Sequence, residues 1–287
     1  IGGIRDAFAD LLFPGTTTIQ TVAKYFLLVP WMYLQLEQRH TPSAKVKERA
    51  RKFEIDLAKE LGEVEGVIGR AAKESLQRLP SSVYWQGLVN LGIRFYPGWQ
   101  DDYYRSLELF YVRRRSRTAS SAEFDGEGVG LGELHNWHDG IPAPSPDFPN
   151  GARLDLSWEE ASYLRERVMT SCGDSLLAYL LQHRMPVDGI AFAWQLGAEL
   201  PERLSAPLEH GQNFSETIHG AQLLYNLILA EKSENLELRE HYLQRLNDWW
   251  LILENSRTRL QTWNRSAFWG VVLRINPRIS AKARTFV

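Results

Sequence analysis

The fold class is indicated by two segments, SETIHGAQLLYNLILAE at Ser215–Glu231 and LELREHYLQRLNDWWLILENSRTRLQTW at Leu236–Trp263. In both stretches apolar residues recur three and four positions apart, the spacing that places them on one face of an α-helix. Strand signals are nearly absent from the rest of the chain, and no convincing hairpin turn or fixed-period repeat occurs. The sequence therefore predicts an all-α protein.

Further helices are predicted on both sides of these two from apolar periodicity and local start and stop signals. Pro14-Gly15 ends the first helix, Thr41-Pro42 starts a charged one, and Ser157 with Glu160 forms a capping box. The predicted helices cover residues 4–12, 16–39 with a kink at Pro30, 43–61, 71–78, 84–91, 99–115, 157–168, 174–181, 190–200, 268–275 and 280–287.

Residues 118–153 differ in kind from the helical segments. They hold alternating glycines, then four prolines, and six acidic residues against one basic residue. This composition is typical of a long loop or linker. Trp137, Ile141 and Phe148 suggest that its second half packs onto a surface. We therefore predict two helical lobes, residues 1–117 and 154–287, joined by a Gly/Pro-rich, acidic linker or packed loop.

Composition excludes several protein classes. Apolar residues make up 44% of the 287 residues, and the net charge is −2, so the whole chain has no electrostatic preference for nucleic acid or membrane. The most apolar stretch, Tyr25–Leu36, is shorter than the roughly 20 residues of a membrane helix. The single cysteine, Cys172, cannot form a disulfide within the chain and is expected to pack. No signal peptide is visible, and a cytoplasmic protein is expected.

The known catalytic motifs are missing. No phosphate-binding loop, dinucleotide fingerprint, nucleophile elbow or zinc-protease helix occurs, so neither catalytic residues nor a cofactor are predicted. Weak metal candidates are Glu216 with His219, which share a helix face at i and i+3, and His135 with His138 in a loop. Glu37 and His40 repeat the Glu-x-x-His spacing at a helix end. A metal-dependent enzyme remains the alternative function.

Positive charge is local and gives the leading functional hypothesis. Residues 94–117 hold six basic and three acidic residues interleaved with aromatic ones, a pattern typical of single-strand binding. A second basic stretch closes the chain. The predicted nucleic-acid contacts are Arg94, Arg105, Arg113, Arg114, Arg115, Arg117, Arg278, Lys282 and Arg284. Alternatively, Trp99, Tyr103, Leu107 and Phe110 form a core stripe, and the arginines lie on a solvated helix end.

Several motifs along the chain resemble an uncharacterised bacterial family, a domain of unknown function. They are Ile4–Asp10, Phe13–Thr16, Thr18–Thr21, Tyr25–Leu27, Val29–Trp31, Leu79–Ser81, Tyr84-Trp85, Gly87-Leu88, Asn136–His138, Glu160-Ala161, Tyr163–Arg165, Phe214–Thr217 and His219–Ala221. Members of that family resemble components of defence islands, encoded near helicase-type and phospholipase-D-like nuclease genes. The resemblance implies a supporting subunit of an anti-phage, DNA-directed system and carries over no catalytic residue. A pure assembly scaffold is the third possibility.

Overall fold

The computed structural model describes residues 2–69, 78–123, 135–196 and 200–279, with the backbone alone for 117–123. Its described part contains eleven α-helices, a 3-10 turn at Ala193–Gln195 and a single isolated β-bridge, which confirms the all-α prediction. The helices are α1 Gly2–Leu12, α2 Tyr25–Gln38, α3 Ser43–Leu61, α4 Pro80–Asn90, α5 Gln100–Glu123, α6 Trp158–Cys172, α7 Leu176–His183, α8 Glu202–Lys232, α9 Leu236–Asn255, α10 Arg257–Gln261 and α11 Arg265–Ile275.

Local signals explain several helix ends. The Ser157 side chain accepts from the backbone N–H of Glu160, and the Glu160 carboxylate accepts from the N–H of Ser157, so the predicted capping box begins α6. Pro80 occupies the first turn of α4, where its missing N–H costs nothing. Gly62 ends α3 with a φ of +72°, a conformation that glycine adopts without the steric cost of a Cβ.

Several segments differ from the sequence prediction. Helix α2 begins only at Tyr25, because residues 16–24 are not helical, and the helix predicted over 236–263 is divided at Ser256 into α9 and α10. Residues 190–200 contain only the 3-10 turn within their described part, and α8 begins at Glu202, well before the predicted Ser215. Pro207 and Gly211 look like helix breakers in the sequence, yet both lie inside α8. Helix α5 continues to Glu123, through the first six residues of the predicted linker. The helices predicted at 71–78 and 280–287 fall almost entirely outside the described residues.

The chain divides into two compact units, with boundaries that differ from those of the predicted lobes. The central unit is residues 14–182, and the terminal unit combines residues 1–13 with 183–287. In the central unit α2 is buried on nearly every side, as expected for an apolar run too short to span a membrane. Within the described part of the chain, no helix has both the length and the apolar character that crossing a membrane requires.

The second half of the predicted linker packs into the central unit. The indoles of Trp137 and Trp31 are both buried, and Trp31 Nε1 donates to the backbone oxygen of Pro142 at 2.6 Å. The Phe148 ring lies edge-on to Trp31 with 5.4 Å between ring centroids. Tyr163 and other buried residues of α6 belong to the same apolar cluster. Apolar side chains on both sides of the expected boundary therefore share one core, which explains why the boundary lies elsewhere.

The terminal unit is assembled from both ends of the chain. Ile4 and Phe8 of α1 pack with Phe214 of α8 and with Phe268 and Val272 of α11. Helices α8 and α9 form an antiparallel hairpin, in which Trp249 Nε1 donates to the backbone oxygen of Glu216 at 2.6 Å. All of α9 is described, and none of its residues is buried.

Candidate nucleic-acid interface and an adjoining cavity

The end of α5 projects past the start of α3 in the central unit. The two helices run antiparallel: Ser43 exchanges hydrogen bonds with Glu108 at 3.1 and 3.2 Å, while Lys47 pairs with Asp101 at 2.9 Å. The residues of α5 that follow Glu108 therefore reach the corner between α2 and α3. There the Tyr111 hydroxyl donates to the backbone oxygen of Thr41 at 3.2 Å.

This corner carries a concentration of exposed cations, which we call the basic surface. It consists of Arg39 after α2, Lys45 and Arg49 on α3, and Arg113, Arg114 and Arg115 on α5, all exposed. Within the described residues, Arg113 and Arg115 form no ion pair. The structure therefore brings three of the predicted arginines together with basic residues that precede them by more than sixty positions.

Arg94 is not part of this surface. It is 2% exposed, and its guanidinium lies 4.0 Å from the Trp85 ring centroid. It donates to the backbone oxygens of Trp85 at 3.0 Å and Gly98 at 3.1 Å, and also to that of Tyr96. Burial lowers the pKa of this guanidinium to about 10, so it stays charged at neutral pH. Arg94 holds the connection between α4 and α5 and has no access to a phosphate.

The other predicted contacts are dispersed. Arg105 is exposed but pairs with Asp102 one turn earlier on α5. Arg278 is exposed in the terminal unit, after α11. The side chain of Arg117 and all of Lys282 and Arg284 lie outside the described residues.

A cavity of about 360 Å³ opens beside the basic surface, and we call it the α2–α5 cavity. It is lined by Leu34, Glu37 and Gln38 of α2, Phe110 and Arg114 of α5, and His135, Asn136, Trp137, His138, Asp139 and Ile141 of the loop that follows the undescribed segment. Backbone hydrogen bonds fix this loop. Phe95 N donates to Asn136 O, and His138 N donates to Ile93 O, both at 2.8 Å.

Glu37 supplies a buried carboxylate to the cavity and is 4% exposed. Its Oε1 atom accepts three hydrogen bonds, from the Tyr103 hydroxyl at 2.5 Å, Asn136 Nδ2 at 2.9 Å and Trp137 Nε1 at 3.0 Å. Its Oε2 atom accepts no hydrogen bond from any described residue. Burial raises the pKa of the Glu37 carboxyl, while the three donors and the charge of Arg114 act in the opposite direction.

The histidines at the rim of the cavity have distinct partners. His135 Nδ1 lies 2.9 Å from Asp139 Oδ1. His138 Nδ1 accepts from the backbone N–H of Gly140 at 3.1 Å, which places the proton of the neutral ring on Nε2. Burial, followed by the charge of Arg167, lowers the pKa of His138 below its usual value, so this ring is neutral at physiological pH.

The metal candidates are not assembled into a site. Within the described part of the chain, no three His, Cys, Asp or Glu side chains are placed to hold an ion together. Glu216 pairs with Arg259 and accepts from Gln212 Nε2 at 2.8 Å, so its carboxylate is already engaged. His40 lies at a positive φ after α2, and its ring packs against that of Tyr111 in a tilted arrangement, with 5.2 Å between ring centroids.

In the sequence, Glu37 was identified only as half of the Glu-x-x-His pair with His40. The sequence feature that could have indicated a buried site is that Glu37 directly follows the most apolar stretch, Tyr25–Leu36. The structure shows that this stretch forms a helix buried on nearly every side. Cys172 is buried and its thiol donates to the backbone oxygen of Asn90 at 3.4 Å, while burial raises its pKa. That placement is the packing position expected of it.

Comparison with known proteins identifies a family. A family model described as a family of unknown function (DUF6361) matches residues 1–269. No curated protein and no solved structure matches the chain. Because the family model covers most of the sequence, the chain belongs to this family of unknown function, DUF6361.

Proposed function

We propose that this protein is a non-enzymatic helical subunit of a bacterial anti-phage defence system that contacts nucleic acid through the basic surface. The observation that carries the proposal is the run Arg113–Arg115, exposed on α5 beside Arg39, Lys45 and Arg49. Phosphates bind arginine guanidinium groups through charge-assisted, often bidentate hydrogen bonds. Two of the three arginines form no ion pair within the described residues, so their charge is not neutralised locally.

The net charge of the chain limits the strength of such binding. At −2 the whole molecule does not attract nucleic acid, so the attraction is confined to the basic surface. Binding of this kind weakens steeply as salt concentration rises, because each neutralised phosphate releases counterions.

The defence setting and the partner rest on the family resemblance of the sequence motifs. The proposed partner is a helicase or a nuclease encoded beside this protein. Exposed apolar residues on α9 support a protein contact: Leu236, Trp250 and Leu251 are each more than half exposed. Co-purification with each neighbouring gene product tests whether the protein binds such a partner. If the partner is still bound after Trp250→Asp, the contact is not made by this part of α9.

Nucleic-acid binding is tested by fluorescence anisotropy with labelled single-stranded and duplex DNA over a range of salt concentrations. We expect the triple variant Arg113→Glu, Arg114→Glu and Arg115→Glu to bind at least about tenfold more weakly than the unaltered protein at low salt. The loss of three phosphate contacts on single strands reduces the slope of log affinity against log salt by about two.

The matched control reverses three exposed cations of the terminal unit, with Lys232→Glu, Arg245→Glu and Arg257→Glu. This control has the same net charge as the test variant and is expected to bind nearly as well as the unaltered protein. Equal losses in the two triple variants would contradict a localised interface. Absence of binding by the unaltered protein at low salt would reject the nucleic-acid proposal.

A further inference from the structure

Two features of the α2–α5 cavity are typical of a ligand-binding site. Its interior holds the buried Glu37 carboxylate, whose Oε2 atom accepts no hydrogen bond from the described residues. Its edge holds Arg114, which belongs to the basic surface and whose charge acts on Glu37. An acceptor on a cavity-lining residue that has no donor among the described residues is available to a ligand that brings an N–H group.

The donors around Glu37 determine what that N–H group can be. Oε1 already accepts from Tyr103, Asn136 and Trp137, so Oε2 is the oxygen available to a ligand. An amino group on the edge of an aromatic ring satisfies this requirement, as in the contacts that Glu and Asp make with the N4 amino group of cytosine. Adenine offers an equivalent group at N6, and guanine offers one at N2. Thymine has no amino group, and its one edge donor, N3–H, lies between two carbonyl oxygens that a carboxylate repels.

The walls and size of the cavity suit a flat ring. Leu34, Phe110 and Ile141 supply apolar lining on different elements. The volume of about 360 Å³ lies at the small end of the range of ligand sites, roughly 300–1,000 Å³. A single nucleoside-sized group fits this range better than a peptide, and a guanidinium at the edge provides a partner for its phosphate.

We propose that the α2–α5 cavity binds one nucleotide whose base carries an exocyclic amino group (cytosine, adenine or guanine), with the amino group on Glu37 Oε2 and the phosphate on Arg114. The bound nucleotide can have two sources. One is an unpaired nucleotide of a strand held on the basic surface, and for this source the inference rests on the proposed function. The other source is a free nucleoside monophosphate, which offers the same chemistry without a strand.

The test measures affinities for short oligonucleotides of dC, dA and dT and for dCMP, dAMP and dTMP. The unaltered protein is expected to prefer dC and dA over dT by about tenfold, the usual scale of a hydrogen bond to a charged group. Glu37→Gln keeps an acceptor at the Oε1 position and places an amino group at Oε2. That variant is expected to lose the preference, because its Nε2 group donates and cannot accept a hydrogen bond from a base amino group.

Two further variants separate this effect from charge and folding. Glu48→Gln removes the same charge from an exposed position on α3 and is expected to change all affinities alike, leaving the preference intact. Arg114→Ala, also at an exposed position, is expected to weaken all ligands while dC and dA remain preferred. Circular dichroism of each variant confirms that the helices are retained.

The outcomes distinguish the two proposals. Salt-sensitive strand binding with equal affinity for dC, dA and dT would overturn the cavity inference and leave the proposed function standing. Selective binding of dCMP or dAMP without strand binding would reject the proposed function and support the cavity with a free nucleotide. A preference for dC and dA that survives Glu37→Gln would also overturn the assignment of Glu37, and no binding of either kind would overturn both.

Discussion

Glu54 on α3 is a second buried carboxyl, with a consequence for stability. It is 1% exposed; Oε1 accepts from Ser81 N at 2.6 Å and Oε2 from Ser81 Oγ at 3.1 Å. Burial raises the pKa of Glu54 to about 7. Because the folded state holds the proton more tightly than the unfolded state, the stability that this proton confers is complete below pH 4.5 and is lost as pH rises to about 7.

We therefore predict that Glu54→Gln flattens the dependence of stability on pH. A shift from 4.5 to about 7 corresponds to about 3 kcal/mol, at 1.36 kcal/mol per pKa unit. Urea denaturation at pH 4.5 and 7.5 measures the difference in the free energy of unfolding, which shrinks by about that amount in the variant. The control is Glu48→Gln, exposed on the same helix, with no such change. Identical pH profiles for both variants would show that Glu54 is not held in its acid form.

The hairpin of α8 and α9 depends on a close approach at Gly220. A Cβ at this position would overlap the indole of Trp249, whose Nε1 donates to the backbone oxygen of Glu216. Gly220→Ala must displace the indole and disturb that hydrogen bond. We predict a loss of about 1–3 kcal/mol in the free energy of unfolding, the usual cost of overpacking.

The control for this prediction is Gly270→Ala in the middle of α11, where a Cβ meets nothing within 4 Å. Alanine is preferred over glycine in helices by about 0.5–1 kcal/mol, so this variant is expected to be as stable as the unaltered protein or more so. Thermal unfolding followed by circular dichroism compares the two. If Gly220→Ala is as stable as Gly270→Ala, the two helices do not pack in the manner described.

The division of the whole molecule gives a prediction about fragments. The apolar cluster of the central unit draws only on residues 14–182, so this fragment is expected to fold alone with a cooperative thermal transition. Residues 183–287 lack Ile4 and Phe8, which complete the cluster of the terminal unit. They are expected to unfold at a lower temperature than the same fragment fused to residues 1–13. Equal stability with and without residues 1–13 would contradict the assignment of α1 to this unit.

Local features were predictable across the molecule, and long-range ones were not. The bounds of α3 and the capping box of α6 follow from neighbouring residues, so the sequence alone located both. The partners of Glu37 cannot be found that way, because Tyr103 and Asn136 are 66 and 99 positions away from it. Arg94 is a second example. Its position in a basic stretch predicted a phosphate contact, but in the structure its guanidinium lies over the Trp85 ring.

The composite origin of the terminal unit affects the order in which the protein forms during synthesis. The ribosome makes α1 before the central unit, but α8 and α11, against which it packs, emerge only after the whole central unit. Because domains fold as units while the chain is being made, the central unit can be complete when α1 still has an uncovered apolar face. In this interval Ile4 and Phe8 are open to chaperones and to aggregation, and closing so distant a contact slows the final step.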